Sequence, residues 1–225
     1  MIRLEPVGAE ALLLVLAEQP DPQLPLRIRA LAEQISQTLG PHLRDWVAGW
    51  TTLLLHYDLC LTDPYQLEQR LRPLLAAWQR GQIPPLRAGR LHQLPLCYDG
   101  EDLAAVAQAC GLSPAEVIQR HSAVCYQVGA IGFAPGFAYL GELDARLALP
   151  RRATPRTRVA AGTVAIAERQ TAIYPQASPG GWHLIGRCPV LLFDPRQQPP
   201  CPLQLGDQVR FVPIDAADWP AHHGL

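Results

Sequence analysis

Gly162-Thr163-Val164-Ala165-Ile166-Ala167-Glu168-Arg169-Gln170-Thr171-Ala172-Ile173-Tyr174 is the stretch on which the reading of the fold turns. It holds two short apolar runs, 162–167 and 171–174, of the length and composition of strands. The same texture continues on both sides. Gln127-Val128-Gly129-Ala130-Ile131-Gly132-Phe133 precedes it, and Trp182-His183-Leu184-Ile185-Gly186, Val190-Leu191-Leu192-Phe193 and Gln208-Val209-Arg210-Phe211-Val212-Pro213 follow. Gly and Pro recur every few residues between these runs. Many short strands broken by turn signals predict an all-β barrel or compact sandwich from residue 125 onward.

Working back from that region, residues 93–98 read as a strand, followed by two short helices. The first, 101–110, puts Leu103, Val106 and Ala107 on one face and is stopped by Gly111. The second opens on the capping box Ser113-Pro114-Ala115-Glu116 and runs to about His121. Residues 82–92 contain Pro84-Pro85 and little apolar periodicity, which reads as a linker. Upstream, residues 2–6 and 11–16 read as strands. Leu24, Ile28, Leu31, Ile35 and Leu39 then recur at helical spacing until Gly40-Pro41. Residues 46–57 are β-rich. Asp63 is the expected N-cap of a second helix with Pro64 in its first turn, and that helix carries Leu67, Leu71, Leu74, Leu75 and Trp78. The order β-β-α-β-α suits a small α+β sandwich. The predicted organisation is therefore an α+β N-terminal domain over 1–82 and a mainly-β domain over 93–225 with two short helices at its start. The tail 216–225 is expected to be loose.

Composition narrows the chemistry. The chain has 225 residues, and all 19 of its basic residues are arginine, with no lysine and no asparagine. Codon bias is the simplest cause, but the consequences hold regardless. No lysine means no Schiff-base anchor, no biotin or lipoyl attachment and no P-loop lysine. No asparagine means no Cys-His-Asn triad and no N-glycosylation acceptor. Any grip on a carboxylate or phosphate falls to arginine and backbone N–H groups. A net charge of −1 argues against nucleic acid or an anionic membrane surface as partner. No run approaches the ~20 apolar residues of a membrane span, and the N-terminus lacks the pattern of a signal peptide. Cysteines 60, 97, 110, 125, 188 and 201 form no CxxC pair and read as mostly buried thiols of a cytoplasmic protein. No His/Cys/carboxylate cluster has ligand spacing, so no metal site is expected, although His222-His223 in the tail could bind metal adventitiously. None of the four serines sits in GxSxG.

Three segments are candidates for function. Gly132-Phe133-Ala134-Pro135-Gly136-Phe137-Ala138-Tyr139-Leu140-Gly141 alternates glycines with aromatics, which reads either as the wall of a small pocket or as a tight barrel corner. Arg151-Arg152-Ala153-Thr154-Pro155-Arg156-Thr157-Arg158 is either a bidentate anion grip, with Arg156 and Arg158 on one side of a strand, or a solvated charge cluster. Tyr174-Pro175-Gln176-Ala177-Ser178-Pro179-Gly180-Gly181-Trp182 is either an N–H cradle or an ordinary hairpin turn. His121, at a helix end beside Ser122, is a candidate general acid or base, with a structural role as the alternative. His56, His92 and His183 read as structural.

These segments resemble the family of 5-oxoprolinase B subunits, also known as allophanate hydrolase subunit 1 and as the Kip-type kinase inhibitor. The resemblance is carried by residues 131–141, 150–159, 161–164, 170–175 and 178–187, then by Phe193-Asp194-Pro195 and residues 206–211. It implies a cyclophilin-like β-barrel in the second domain and a carboxyltransferase-type domain organisation. It implies a C-type and an A-type partner, with which the assembly would open 5-oxoproline to glutamate using ATP and Mg, none bound covalently. This chain alone would be inactive. Alternatives within the resemblance are half of a urea-carboxylase or allophanate-type carboxyltransferase, and a module that binds and inhibits a histidine kinase. From the chemistry of these motifs, the expected catalytic residues are His121 as proton carrier and Arg156 and Arg158 as anion clamps. The expected substrate-binding residues are Phe133, Pro135, Gly136, Phe137, Tyr139, Gly162, Gln170, Tyr174, Ser178, Gly180, Gly181, Trp182 and Arg187. One departure stands out. Where the family carries a longer Gly-Gly-Glu-x-Gly-Pro-Asp-Leu stretch, this chain has the shorter Tyr98-Asp99-Gly100-Glu101-Asp102-Leu103.

Overall fold

The computed structural model describes residues 2–82 and 89–218. Most of the expected linker and the His222-His223 end of the tail lie outside the described residues. The chain divides into two compact units, Met1–Gly89 and Arg90–Leu225.

In the first unit, strands β1 (Arg3–Pro6) and β2 (Ala11–Val15) lead into helix α1 (Leu24–Leu39), then β3 (Leu43–Ala48), β4 (Thr52–Tyr57) and helix α2 (Pro64–Gln79). The strands form one antiparallel sheet in the order β1-β2-β4-β3. Register Leu12↔Leu55 and Leu14↔Leu53 puts alternate leucines of the two central strands on one face. There they join Ile28, Leu31 and Ile35 of α1 and Leu67 and Leu71 of α2, all fully buried. Asp63 caps α2 as expected, its carboxylate accepting from Gln66 N at 2.8 Å. The β-rich stretch is two strands and not one. Gly49 N donates to Thr52 O at 2.9 Å and turns the chain back, giving β-β-α-β-β-α.

The second unit opens with β5 (Leu91–Leu96), α3 (Leu103–Cys110) and α4 (Pro114–Ala123). The strands β6 (Cys125–Ile131), β7 (Ala138–Gly141), β8 (Arg156–Val159), β9 (Thr163–Ala167), β10 (Gln170–Ile173), β11 (Ser178–Gly180), β12 (His183–Arg187) and β13 (Gln208–Pro213) follow. Seven of them make a mixed sheet, β12-β9-β10-β7-β6-β13-β5, in which the β13–β5 pair is parallel. A bridge joins its two edges: Cys97 N donates to Arg187 O at 2.9 Å and Arg187 N to Cys97 O at 2.8 Å. The sheet thus curls until its two edges touch at this bridge. Only glycine fits at 186, because a Cβ there would collide with the Cys97 carbonyl. The Ser113 capping box is present and Gly111 ends α3 in the left-handed conformation, both as expected.

The run 163–167 is buried along its whole length because both of its faces are covered. Val164 and Ile166 point into the main core with Leu96, Val117, Leu140, Ile185 and Phe211. Ala165 and Ala167 point the other way, into a second cluster with Phe137, Val159, Ala172, Tyr174, Trp182 and Leu184. The two-stranded sheet β8–β11 contributes Val159 to that outer cluster. Two expectations are corrected here. Residues 190–193 form no strand: Val190 and Leu192 pack on the main core while Leu191 is left exposed. Residues 138–141, read as part of a pocket wall or a tight corner, form β7 between β6 and β10. The cysteines are all free, but only Cys97 and Cys188 are buried.

Candidate functional site

The outer cluster ends in a pocket of about 250 Å³ lined by Phe133, Phe137, Tyr139, Tyr174, Trp182, Gly180 and Gly181, together with Arg151, Pro155 and Pro179. Phe137 is its central ring. It meets Tyr139 at a centroid distance of 4.8 Å, Phe133 at 5.3 Å, Tyr174 at 5.4 Å and Trp182 at 6.1 Å. The edge-on arrangement of three of these four pairs is the one that ring quadrupoles favour. The loop that carries Phe133 is pinned by Gly132 N donating to Phe137 O at 3.1 Å and by Phe137 N donating to Ala134 O at 3.0 Å. Phe133 itself is held at φ +74° and is 64% exposed at the pocket's edge. On the opposite wall a Cβ at Gly180 would collide with the Tyr174 hydroxyl unless that ring moved aside.

Burial raises the pKa of both Tyr139 and Tyr174, and the nearby Arg151 charge opposes this without cancelling it. Both phenols therefore stay protonated at neutral pH. Arg151 is the one charged residue of the lining. Its guanidinium carbon lies 6.0 Å from the Trp182 ring centroid.

The structure separates the arginines that the sequence groups together. Arg156 donates through Nη2 to Asp102 Oδ1 at 2.8 Å and pairs with Glu101 at 2.8 Å. Arg152 reaches the same Asp102 oxygen at 3.1 Å. Leu184 N donates to Asp102 Oδ2 at 2.7 Å. Burial pushes the Asp102 pKa up, but the Arg156 hydrogen bond, the Leu184 N–H and the two guanidinium charges outweigh this and leave it lowered. Arg156 is thus braced by two carboxylates through Nη2 and Nε, and it does not line the pocket. Arg158 is exposed on β8 and outside the pocket lining, and Arg187 is engaged by Asp99 at 3.0 and 3.1 Å beside the barrel seam. The loop at 98–103 supplies the carboxylates Asp99, Glu101 and Asp102 that hold Arg152, Arg156 and Arg187. Asp102 carries no signal of this role in the sequence. It stands at the N-cap of α3 without capping the helix, since its carboxylate is turned to the arginines.

His121 is a core histidine, which corrects the expectation of a proton carrier. It is fully buried and stacked on Phe211 at 4.9 Å. Thr171 Oγ1 donates to Ala165 O, so it accepts from His121 Nε2–H at 3.0 Å, and Nδ1 accepts the Tyr98 hydroxyl at 2.8 Å. Burial lowers its pKa to about 3. Of the other expected residues, Gly162 backs the site by donating to Tyr174 O at 2.7 Å. Gln170 pairs in β10, and Pro135, Gly136 and Ser178 adjoin the pocket in sequence without lining it. Among the described residues no group of three or more His, Cys, Asp or Glu could hold a metal ion, and no helix is long and apolar enough to cross a membrane.

The chain, with its curled mixed sheet and this pocket, matches the family model "Carboxyltransferase domain, subdomain C and D" over residues 2–203 and belongs to that family. Its relatives include the 5-oxoprolinase B subunit of Bacillus subtilis, 34% identical over 98% of this chain and 96% of the relative. The 5-oxoprolinase B subunit of Escherichia coli O157:H7 is 40% identical over 83% and 84% of the two chains. The crystal structure of TTHA0988 superposes with a TM-score of 0.80 at 39% identity, covering 92% of this chain and 40% of that one. The Kluyveromyces lactis urea amidolyase shares the fold at 18% identity, with a TM-score of 0.73 over 98% of this chain and 15% of the enzyme.

Proposed function

We propose that this chain is the B-type component of an ATP-dependent 5-oxoprolinase, acting with A- and C-type subunits to open 5-oxoproline to glutamate. The observation that carries the reading is the pocket. Segments 132–141, 151–158 and 174–182, which carry the family resemblance, meet around one small aromatic cavity with a single cation and two protonated phenols. At about 250 Å³ it falls below the roughly 300–1,000 Å³ of drug-sized sites. A cyclised amino acid suits that size. Phenol O–H groups can donate to a lactam oxygen, and a ring can lie against Phe137 and Trp182.

ATP does not fit the same pocket. A triphosphate asks for several cations or a nest of N–H donors, and here Arg152 and Arg156 are already held by Asp102. We therefore assign ATP and Mg to the partner chains and derive no step through them on this one. What this chain supplies is a shaped aromatic surface that orients the ring. The curled sheet supports reading the second domain, 93–225, as a cyclophilin-like barrel, and the four-stranded sheet with its two helices supports the α+β domain 1–82. The six free cysteines support a cytoplasmic location.

The urea-carboxylase alternative rests on neighbours that share the fold alone, and no feature of the site favours a kinase inhibitor. The test is reconstitution. Glutamate and ADP should form from 5-oxoproline and ATP when the A-, B- and C-type chains are mixed, and not when the B-type chain is withheld. An assembled, folded complex that leaves 5-oxoproline intact would remove the proposal.

A further inference from the structure

We infer that Arg151 is the residue that restricts this pocket to small monocarboxylates. The inference deepens the 5-oxoprolinase reading and depends on it only for the choice of 5-oxoproline as ligand.

Elimination among the charges that surround the site singles out Arg151. The lining holds five aromatic side chains, three glycine or proline neighbours of Trp182, Pro155 and one arginine, with no carboxylate. Of the other arginines of the segment, Arg152 and Arg156 are held by Asp102, and Arg156 also by Glu101, while Arg158 lies outside the pocket lining. Arg151 differs from them. Its side chain is 60% exposed, and among the described residues its one ion-pair contact is Glu168 Oε1, 3.7 Å from Nε. That separation is too long for a hydrogen bond. The guanidinium fork therefore remains available to an incoming carboxylate, which it can grip bidentately. Trp182 lies on one side of it, and its charge is felt by both Tyr139 and Tyr174, which sets the cation and the two phenol donors around one space.

One fork accepts one carboxylate. A second negative charge on the ligand would meet only aromatic wall, where an unpaired anion is costly to desolvate. A neutral lactam would fill the aromatic part of the pocket but leave the guanidinium unanswered. The substrate class is thus a small ring or planar amide that bears a single carboxylate.

The test is direct binding to the full-length chain by calorimetry, with 5-oxoproline and with 2-pyrrolidone, the same lactam without the carboxylate. The wild type should bind 5-oxoproline about tenfold to a hundredfold more tightly, the range of one charge-assisted hydrogen-bonded contact. Arg151→Gln should lower 5-oxoproline affinity to that of 2-pyrrolidone and leave 2-pyrrolidone unchanged. Arg151→Lys, which keeps the charge and loses the fork, should recover part of the difference. Equal affinity of the wild type for the two ligands, an equal loss of both in Arg151→Gln, or no binding of either would overturn the inference. Failure of the 5-oxoprolinase reading looks different: Arg151-dependent carboxylate selectivity would stand while the reconstituted complex left 5-oxoproline unopened.

Discussion

Asp102 and Arg156, 54 residues apart in sequence, meet at 2.8 Å, and the carboxylate that joins them is 7% exposed. The same oxygen holds Arg152, so a single acid at the start of α3 fixes the segment that carries both Arg151 and Pro155 into the pocket wall. Removing it leaves the largely buried Arg156 guanidinium with the exposed Glu101 as its remaining carboxylate partner. Asp102→Ala should cost about 3 kcal/mol of folding stability, measured by urea denaturation at pH 7. An unchanged midpoint would mean that solvent already screens the pair.

Acid stability should fall in two stages. The folded pKa of His121 lies at about 3, below the ordinary ~6.5. Between those values the unfolded chain binds a proton that the folded one refuses. Stability is therefore fully present above about pH 6.5 and falls by up to ~1.4 kcal/mol per unit as the pH drops. Asp102, whose folded pKa is depressed, adds a further loss below its unfolded value of about 3.9. Denaturation of the wild type and of His121→Gln between pH 7 and 2 separates the stages. The variant should lose the slope between pH 6 and 4, whatever its absolute stability.

Phe133→Gly should separate stability from binding. Glycine relieves a left-handed φ that costs a side-chain-bearing residue roughly 1–2 kcal/mol. The gain is offset by glycine's chain entropy of ~0.5–1 kcal/mol and by the lost edge contact with Phe137, about 0.5–1.5 kcal/mol. The melting temperature should barely move, while 5-oxoproline affinity falls several-fold because one wall of the pocket is gone. A large loss of stability would instead make Phe133 a core residue.

Gly180→Ala should damage the site and spare the fold. The added methyl meets the far end of a tyrosine side chain, so the Tyr174 ring can swing away without breaking the barrel. Displacing a pocket wall by about an ångström should lower turnover of the assembled complex about tenfold to a hundredfold. Steady-state kinetics beside a melting curve would check it.

Much of the scaffold was legible because it depends on local chemistry. Asp63, Ser113 and Gly111 cap their helices through hydrogen bonds and a left-handed turn within a few residues. The short runs at 163–167 and 170–173 became strands because β-branched residues between turn signals admit little else. The strand at 138–141 was hidden because its aromatic and glycine residues read equally as a loop, and only pairing with β6 and β10 decides between them. Residues 190–193 failed in the opposite sense: apolar enough for a strand, they found no edge to join.

The sequence by itself determined which residues could build a site: it assembled the aromatics, the glycines and an arginine cluster, and it ruled out lysine chemistry entirely. Which arginine faces the pocket was decided only in three dimensions. Arg151, Arg152, Arg156 and Arg158 are chemically equivalent along the chain, and their roles diverge because Asp102, distant in sequence, neutralises two of them. His121 likewise could be a base or a brace until the barrel closed around it. Charge and pKa depend on what surrounds a group through space, and nothing in a local motif carries that information.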